Sequence, residues 1–113
     1  MTEDEWLDGL RHLSSGQILQ AHFSLQEQIK KHYKLRSEPE HLKKAIALCE
    51  QHIALAPLAL NALKQNPHMY LNGVFSAPAH HGYRQYAVIL RRQKDFDTLE
   101  RIESKRKSEG WAD

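Results

Sequence analysis

Eight histidines in 113 residues are the first feature with chemical content. Imidazole is the commonest metal ligand, and its charge changes near neutral pH. Zinc sites usually show paired ligands at short spacing, often with cysteines, as in His-x₃₋₅-His. Here His12, His22, His32, His41 and His52 are 10, 10, 9 and 11 residues apart, with no carboxylate motif attached. A ten-residue step turns a helix by about 1000°, so His22 and His32 do not share a face. His80 and His81 are adjacent and point apart. These spacings predict no metal site and no cofactor. His32 and His52 are expected at the edge of the core, with a nitrogen bonded to backbone or water.

Nucleophilic chemistry finds no constellation either. The single cysteine, Cys49, lies on an apolar helical stripe, the setting of an inert buried thiol. There is no Gly-x-Ser-x-Gly, no Gly-x₄-Gly-Lys and no carboxylate pair tied to a strand end. The chain is expected not to be an enzyme. One cysteine makes no internal disulfide, which fits a reducing cytoplasm. The amino terminus is acidic where a signal peptide is basic. Apolar runs such as 53–60 fall short of the roughly 20 residues that span a bilayer, so no membrane partner is expected.

Sixteen Lys and Arg stand against fourteen Asp and Glu, a net charge of +2 that imposes no global field. The basic residues are nevertheless clustered. Lys30, Lys31, Lys34, Arg36, Lys43 and Lys44 form one group, and Arg91, Arg92, Lys94, Lys105, Arg106 and Lys107 another. Tyr33 and Tyr86 are interleaved, as in phosphate-contacting surfaces. Acidic residues such as Glu27, Glu38, Glu50 and Asp95 stand among them, the pattern of solvated helices.

The elements that must position these residues are written in capping chemistry. Thr2–Glu5, Ser14–Gln17 and Ser37–Glu40 each place a hydroxyl three residues before Glu or Gln, the arrangement of a reciprocal helix cap. A first helix carries Trp6, Leu7, Leu10 and Leu13. A second, about 17–35, aligns Ile18, His22, Leu25, Ile29 and Tyr33 on one stripe. A third carries Leu42, Ala45, Ile46, Cys49, Ile53 and Ala56, with Pro57 as its boundary, and a short fourth follows over 58–65. Residues 66–79 are the least regular stretch, expected to pack down rather than be disordered. A fifth helix, about 79–92, is followed by a sixth that Asp95 caps and Gly110 stops, with Trp111 folding back on its last turn.

The predicted class is all-α: five to six helices in stacked antiparallel αα-hairpins, one domain over 1–113. Within it, 1–16 forms a capping helix, 17–57 a first hairpin, 58–79 a short helix and loop, and 80–111 a second hairpin. Two such hairpins stacked together bury a stripe that neither buries alone.

Two stretches give this pattern a family likeness. Ile29, Tyr33, Ala45, Cys49 and Pro57 in the first unit, and Tyr83, Ala87, Leu90, Phe96 and Leu99 in the second, sit at offsets that resemble the tetratricopeptide repeat. The run from His81-Gly82-Tyr83 through Gln93-Lys94-Asp95-Phe96 to Gly110-Trp111 is also similar to uncharacterised bacterial repeat-like proteins. His32, Arg36, Glu103 and Arg106 depart from the pattern where it favours apolar residues, and the units are offset by 54 residues rather than 34. The resemblance implies a tetratricopeptide-like superhelix whose first helices line a groove. It places Lys30, Lys34, His81, Arg84, Arg91 and Arg92 on that groove, ready to grip an acidic peptide or a carboxylate terminus. The function expected is therefore non-catalytic protein or peptide binding, as an adaptor or assembly piece. The alternatives are nucleic-acid association through the basic faces and self-association into a homodimer.

Overall fold

The computed structural model of the chain describes residues 2–113. It is all-α in class, with helices α1 (Glu3–Leu10), α2 (Ser15–Lys34), α3 (Pro39–Lys64), α4 (His81–Gln93) and α5 (Phe96–Glu109). A single 3₁₀ turn (Pro67–Met69) and a two-stranded antiparallel ribbon, β1 (Tyr70–Leu71) and β2 (Val74–Phe75), join α3 to α4.

Local chemistry explains where the helices begin. Thr2 accepts from the Glu5 N–H, and Ser14 and Gln17 form the full reciprocal cap of α2. Asp95 caps α5 through the Thr98 N–H. The third sequence pair, Ser37–Glu40, does not cap. Here α3 starts after Glu38 with Pro39 in its first turn and makes no side-chain cap bond. Proline presets the helical φ and has no N–H to satisfy, so it supplies the start signal without a hydroxyl.

The boundary expected at Pro57 is likewise corrected. One helix of 26 residues runs through it, which removes the separate helix at 58–65 and carries the first hairpin on to Lys64. A proline inside a helix costs about 3 kcal/mol through a lost hydrogen bond and a steric clash. Burial outweighs that here: Ile53, Leu55 and Leu60 are all in the core, and each buried side chain of this size contributes about 1.5–3 kcal/mol. Pro57 itself faces solvent. The uninterrupted α3 is long and apolar enough to cross a bilayer by length and composition alone, but 61% of its most apolar window is buried inside the fold. That is the burial of a core helix.

The turn at 35–38 folds α3 back along α2; α4 then packs on α3 and α5 on α4. The main core joins Ile18 of α2, the second half of α3, Tyr83, Ala87 and Leu90 of α4, Ile102 of α5 and Trp111. Trp6, Leu10 and Leu13 lie partly buried against it and cover one end. A smaller cluster of Ile29, Leu48 and Cys49 fills the other end of the α2–α3 pair.

Residues 66–79 are part ordered ribbon, part packed loop. Met69 and Phe75 do pack against the core, but Leu71 and Val74, paired across the ribbon tip, are 72% and 68% exposed. The left-handed Asn72 (φ 52°) and Gly73 (φ 80°) make the two-residue turn that twists in the sense of a hairpin.

Candidate functional site

Three helices carry the residues in question, and the structure divides them between a surface pocket and the core. The C-terminal turn of α2 bears His32 together with Lys31 and Lys34, cations that complement the helix dipole. Just beyond it, the Arg36 guanidinium donates to the Tyr33 carbonyl at 3.1 Å and stacks 4.5 Å from the centre of the Tyr33 ring. With Ser37 and Leu42 across the turn, and Ile89, Arg92 and Gln93 of α4, these residues line a cavity of about 450 Å³. Lys34, Arg36 and Arg92 are its charged lining, Leu42 and Ile89 its apolar lining, and no carboxylate of the described residues lines it.

The six residues expected on one basic wall are thus not together. Lys34 and Arg92 meet in this pocket, whereas Arg84 and Arg91 line a second cavity of about 340 Å³ with Arg106, Glu103 and Asp113. Adjacent helical residues are about 100° apart, so Arg91 and Arg92 face different cavities. Lys30 pairs with Glu27 at 3.4 Å. His81 is half-buried, and burial, then the nearby charge of Lys30, pushes its pKa down. Arg36 was set aside in the sequence as a departure from an apolar repeat position. It lies past the end of α2, where helical register no longer applies.

The core holds what the sequence did not suggest. His22 of α2, His52 of α3 and His80 at the start of α4 are all buried, with His22 stacked on His52 at 4.4 Å between ring centres and His80 tilted against His52 at 4.1 Å. Trp111 closes the group at 4.8 Å from His80. One nitrogen from each histidine lies within 4.8 Å of the others, a metal-like grouping. Three separate elements bring these rings together, so spacing within one helix could not reveal them. His52 is fully buried rather than at the core edge.

The positions of the ring protons decide what this cluster can hold. The His80 Nδ1 accepts the Tyr83 N–H at 3.1 Å and so caps α4, while its Nε2 donates to the His52 carbonyl at 3.2 Å. The His52 Nδ1 accepts the Gly82 N–H at 3.0 Å, which leaves the proton of the neutral ring on Nε2. Among the described residues, neither that Nε2 nor the His22 Nδ1 makes a hydrogen bond. A metal on His52 or His80 would need either the nitrogen already serving a backbone N–H or the one that must carry the proton. The donor set does not fit a metal.

What it fits is a polar joint between α3 and the start of α4. Burial holds all three rings neutral, lowering His22 to about 4, His52 to about 2 and His80 to about 3. The joint also explains Gly82, since a Cβ there would stand 2.6 Å from the His52 Nδ1 and 2.9 Å from its Cβ. The expected result for Gly82→Ala is a loss of about 2–3 kcal/mol in urea unfolding, because crowding a packed core outweighs alanine's better helix propensity. A variant as stable as the parent would contradict the joint.

Other polar groups are also committed. The Tyr83 hydroxyl donates to Glu109 at 2.8 Å and accepts from Lys105 at 3.1 Å, and the Trp111 Nε1 donates to the same carboxylate. Burial, then the bond to Glu109, pushes the Tyr83 pKa up. Cys49 is fully buried, and burial followed by the charge of Glu50 raises its thiol to about 12. Neither group is an available nucleophile.

The fold and pocket together define a small all-α protein of contacting helix pairs with a cation-lined surface cavity. Compared with protein-family models, with curated proteins and with solved structures, the chain matches none.

Proposed function

We propose that this chain is a non-catalytic binding module whose basic pocket grips an acidic segment or carboxylate terminus of a partner protein. The observation that carries the reading is the convergence of Lys34, Arg36 and Arg92 around one cavity that no carboxylate of the described residues lines. The ends of α2 and α4 each contribute about half a negative charge near it. Three side-chain cations exceed that sum. Arg36 is already oriented by Tyr33, which lowers the entropy lost on forming a two-pronged bond to a carboxylate. The nearby Leu42 and Ile89 suit an apolar side chain beside the acidic group.

The expected resemblance to tetratricopeptide repeats, whose hairpins bind peptides in a groove, agrees with peptide binding but not with the position of this pocket. On this proposal the protein is an adaptor or assembly piece of a reducing cytoplasm, where Cys49 stays a thiol.

The test is binding of a short acidic peptide with a free carboxylate, followed by calorimetry. Replacing Lys34 and Arg92 together by alanine is expected to weaken binding at least tenfold, with unfolding unchanged. Arg84→Ala, in the other cavity, should bind as the parent does. Equal losses from Arg84 and from the pair, or tighter salt-sensitive binding to nucleic acid than to the peptide, would overturn the proposal.

A further inference from the structure

The α2–α3 turn brings together three side chains that neither the basic pocket nor the buried joint uses. The Leu35 N–H bonds the His32 carbonyl and the Glu38 N–H bonds the Leu35 carbonyl, so the turn is tightly wound. It sets His32, in the last turn of α2, against His41, in the first turns of α3. Their Nδ1 atoms are 3.0 Å apart, with the rings stacked at 28°. On its other side, the His41 Nε2 meets the Glu38 carboxylate at 3.2 Å. Both rings are partly exposed, and ions can reach them from solvent.

Here the protons leave lone pairs free, unlike in the core. Glu38 holds the His41 proton on Nε2 and leaves its Nδ1 as a lone pair. The single proton between the two Nδ1 atoms then belongs to His32, whose Nε2 makes no hydrogen bond to the described residues. Moving that proton to Nε2 through water exposes two facing lone pairs, with no backbone bond lost and no net change of charge. Two nitrogens each about 2.0–2.1 Å from one ion are about 2.9 Å apart at a right angle and about 3.4 Å apart at the tetrahedral angle. The observed separation falls in that interval, so the rings need only rotate to aim at a common point. Carboxylate behind imidazole is the arrangement that orients metal-bound histidines and strengthens them as ligands.

We propose that His32 and His41 form a surface site for a divalent late transition-metal ion, with Glu38 as the residue that positions His41. Two neutral imidazoles with open water positions suit Cu²⁺, Ni²⁺ or Zn²⁺, and Cu²⁺ binds such donors most tightly. Burial, then the charges of His41, Lys31 and Lys44, lowers the His32 pKa, and the two lysines oppose a cation too. Glu38 offsets that opposition. The site is independent of the acidic-peptide reading.

The test titrates Cu²⁺ alone into the metal-stripped full chain against a competing chelator, with electron paramagnetic resonance to count bound nitrogens. One ion per chain with two nitrogen ligands is expected. His32→Ala and His41→Gln should each weaken binding at least tenfold, and Glu38→Gln by about tenfold, while circular dichroism at 222 nm stays at the parent value. The His41→Gln change keeps a polar side chain in the turn, so loss of binding there is not loss of fold. Parent affinity in the His32→Ala/His41→Gln double variant, or in Glu38→Gln, would overturn the proposal.

Discussion

Acidification from pH 7 towards pH 4 should unfold this protein, and the buried histidines set the steepness. In the unfolded chain each imidazole titrates near 6.5. In the folded chain burial lowers His22 to about 4, His52 to about 2 and His80 to about 3. Below pH 6.5 the unfolded state therefore binds more protons, so stability falls as pH falls and is complete above that value. Each extra proton contributes about 1.4 kcal/mol per pH unit, and three give about 4 kcal/mol per unit. Between pH 6.5 and 4 the loss is on the order of 10 kcal/mol, the size of a domain's whole stability. Unfolding free energies by urea at pH 7, 6 and 5 would measure the slope. His22→Gln should reduce that slope by about one proton at little cost at pH 7, because the His22 Nδ1 has no partner to lose among the described residues. Equal stability at pH 7 and 5 would refute charge-free burial of the cluster.

That cluster also marks the limit of what could be read from the chain. The caps at Thr2, Ser14 and Asp95 and the stripe Ile18–His22–Leu25–Ile29 are local patterns, decided by neighbours within a turn or two, and they appear as expected. Pro57 failed as a boundary because its local cost is about 3 kcal/mol, while the burial that overrides it comes from α2 and α4, distant in sequence. The histidines failed for the same reason. The ten-residue step from His22 to His32 ruled out a shared face, which is sound within one helix. His32 and His41 meet across a turn, and His22, His52 and His80 meet across three elements. The basic residues followed suit: Lys34 and Arg92 converge, but Arg84 and Arg91 were separated from them by the angle between neighbours on α4.

Trp111→Ala is expected to cost about 3–5 kcal/mol, the range for emptying a buried indole site, and to loosen the joint from its far side. Trp111 is 3% exposed and lies against both His80 and His22. Its segment is held at several points. Gly110 takes the left-handed conformation that ends α5, and the Ala112 N–H bonds the Pro78 carbonyl at 3.1 Å. Arg106, itself 4% exposed, donates to the Trp111 carbonyl at 2.9 Å and pairs with Glu103 and Asp113. A buried guanidinium needs these acceptors, since an unpaired charge there would cost several kcal/mol. Removing the indole therefore leaves a cavity and also slackens the anchor that keeps Arg106 satisfied. Trp111→Phe should recover part of the loss, as it restores ring packing but not the Nε1 bond to Glu109. Urea unfolding of the three proteins gives the order parent, Phe, Ala. A loss below about 1 kcal/mol for Trp111→Ala would show that the segment lies on the fold without supporting it. Trp111 does not line the Lys34–Arg36–Arg92 pocket. Peptide affinity measured under conditions where Trp111→Ala remains folded should thus stay at the parent value, separating the part of the molecule that holds the helices together from the part proposed to bind.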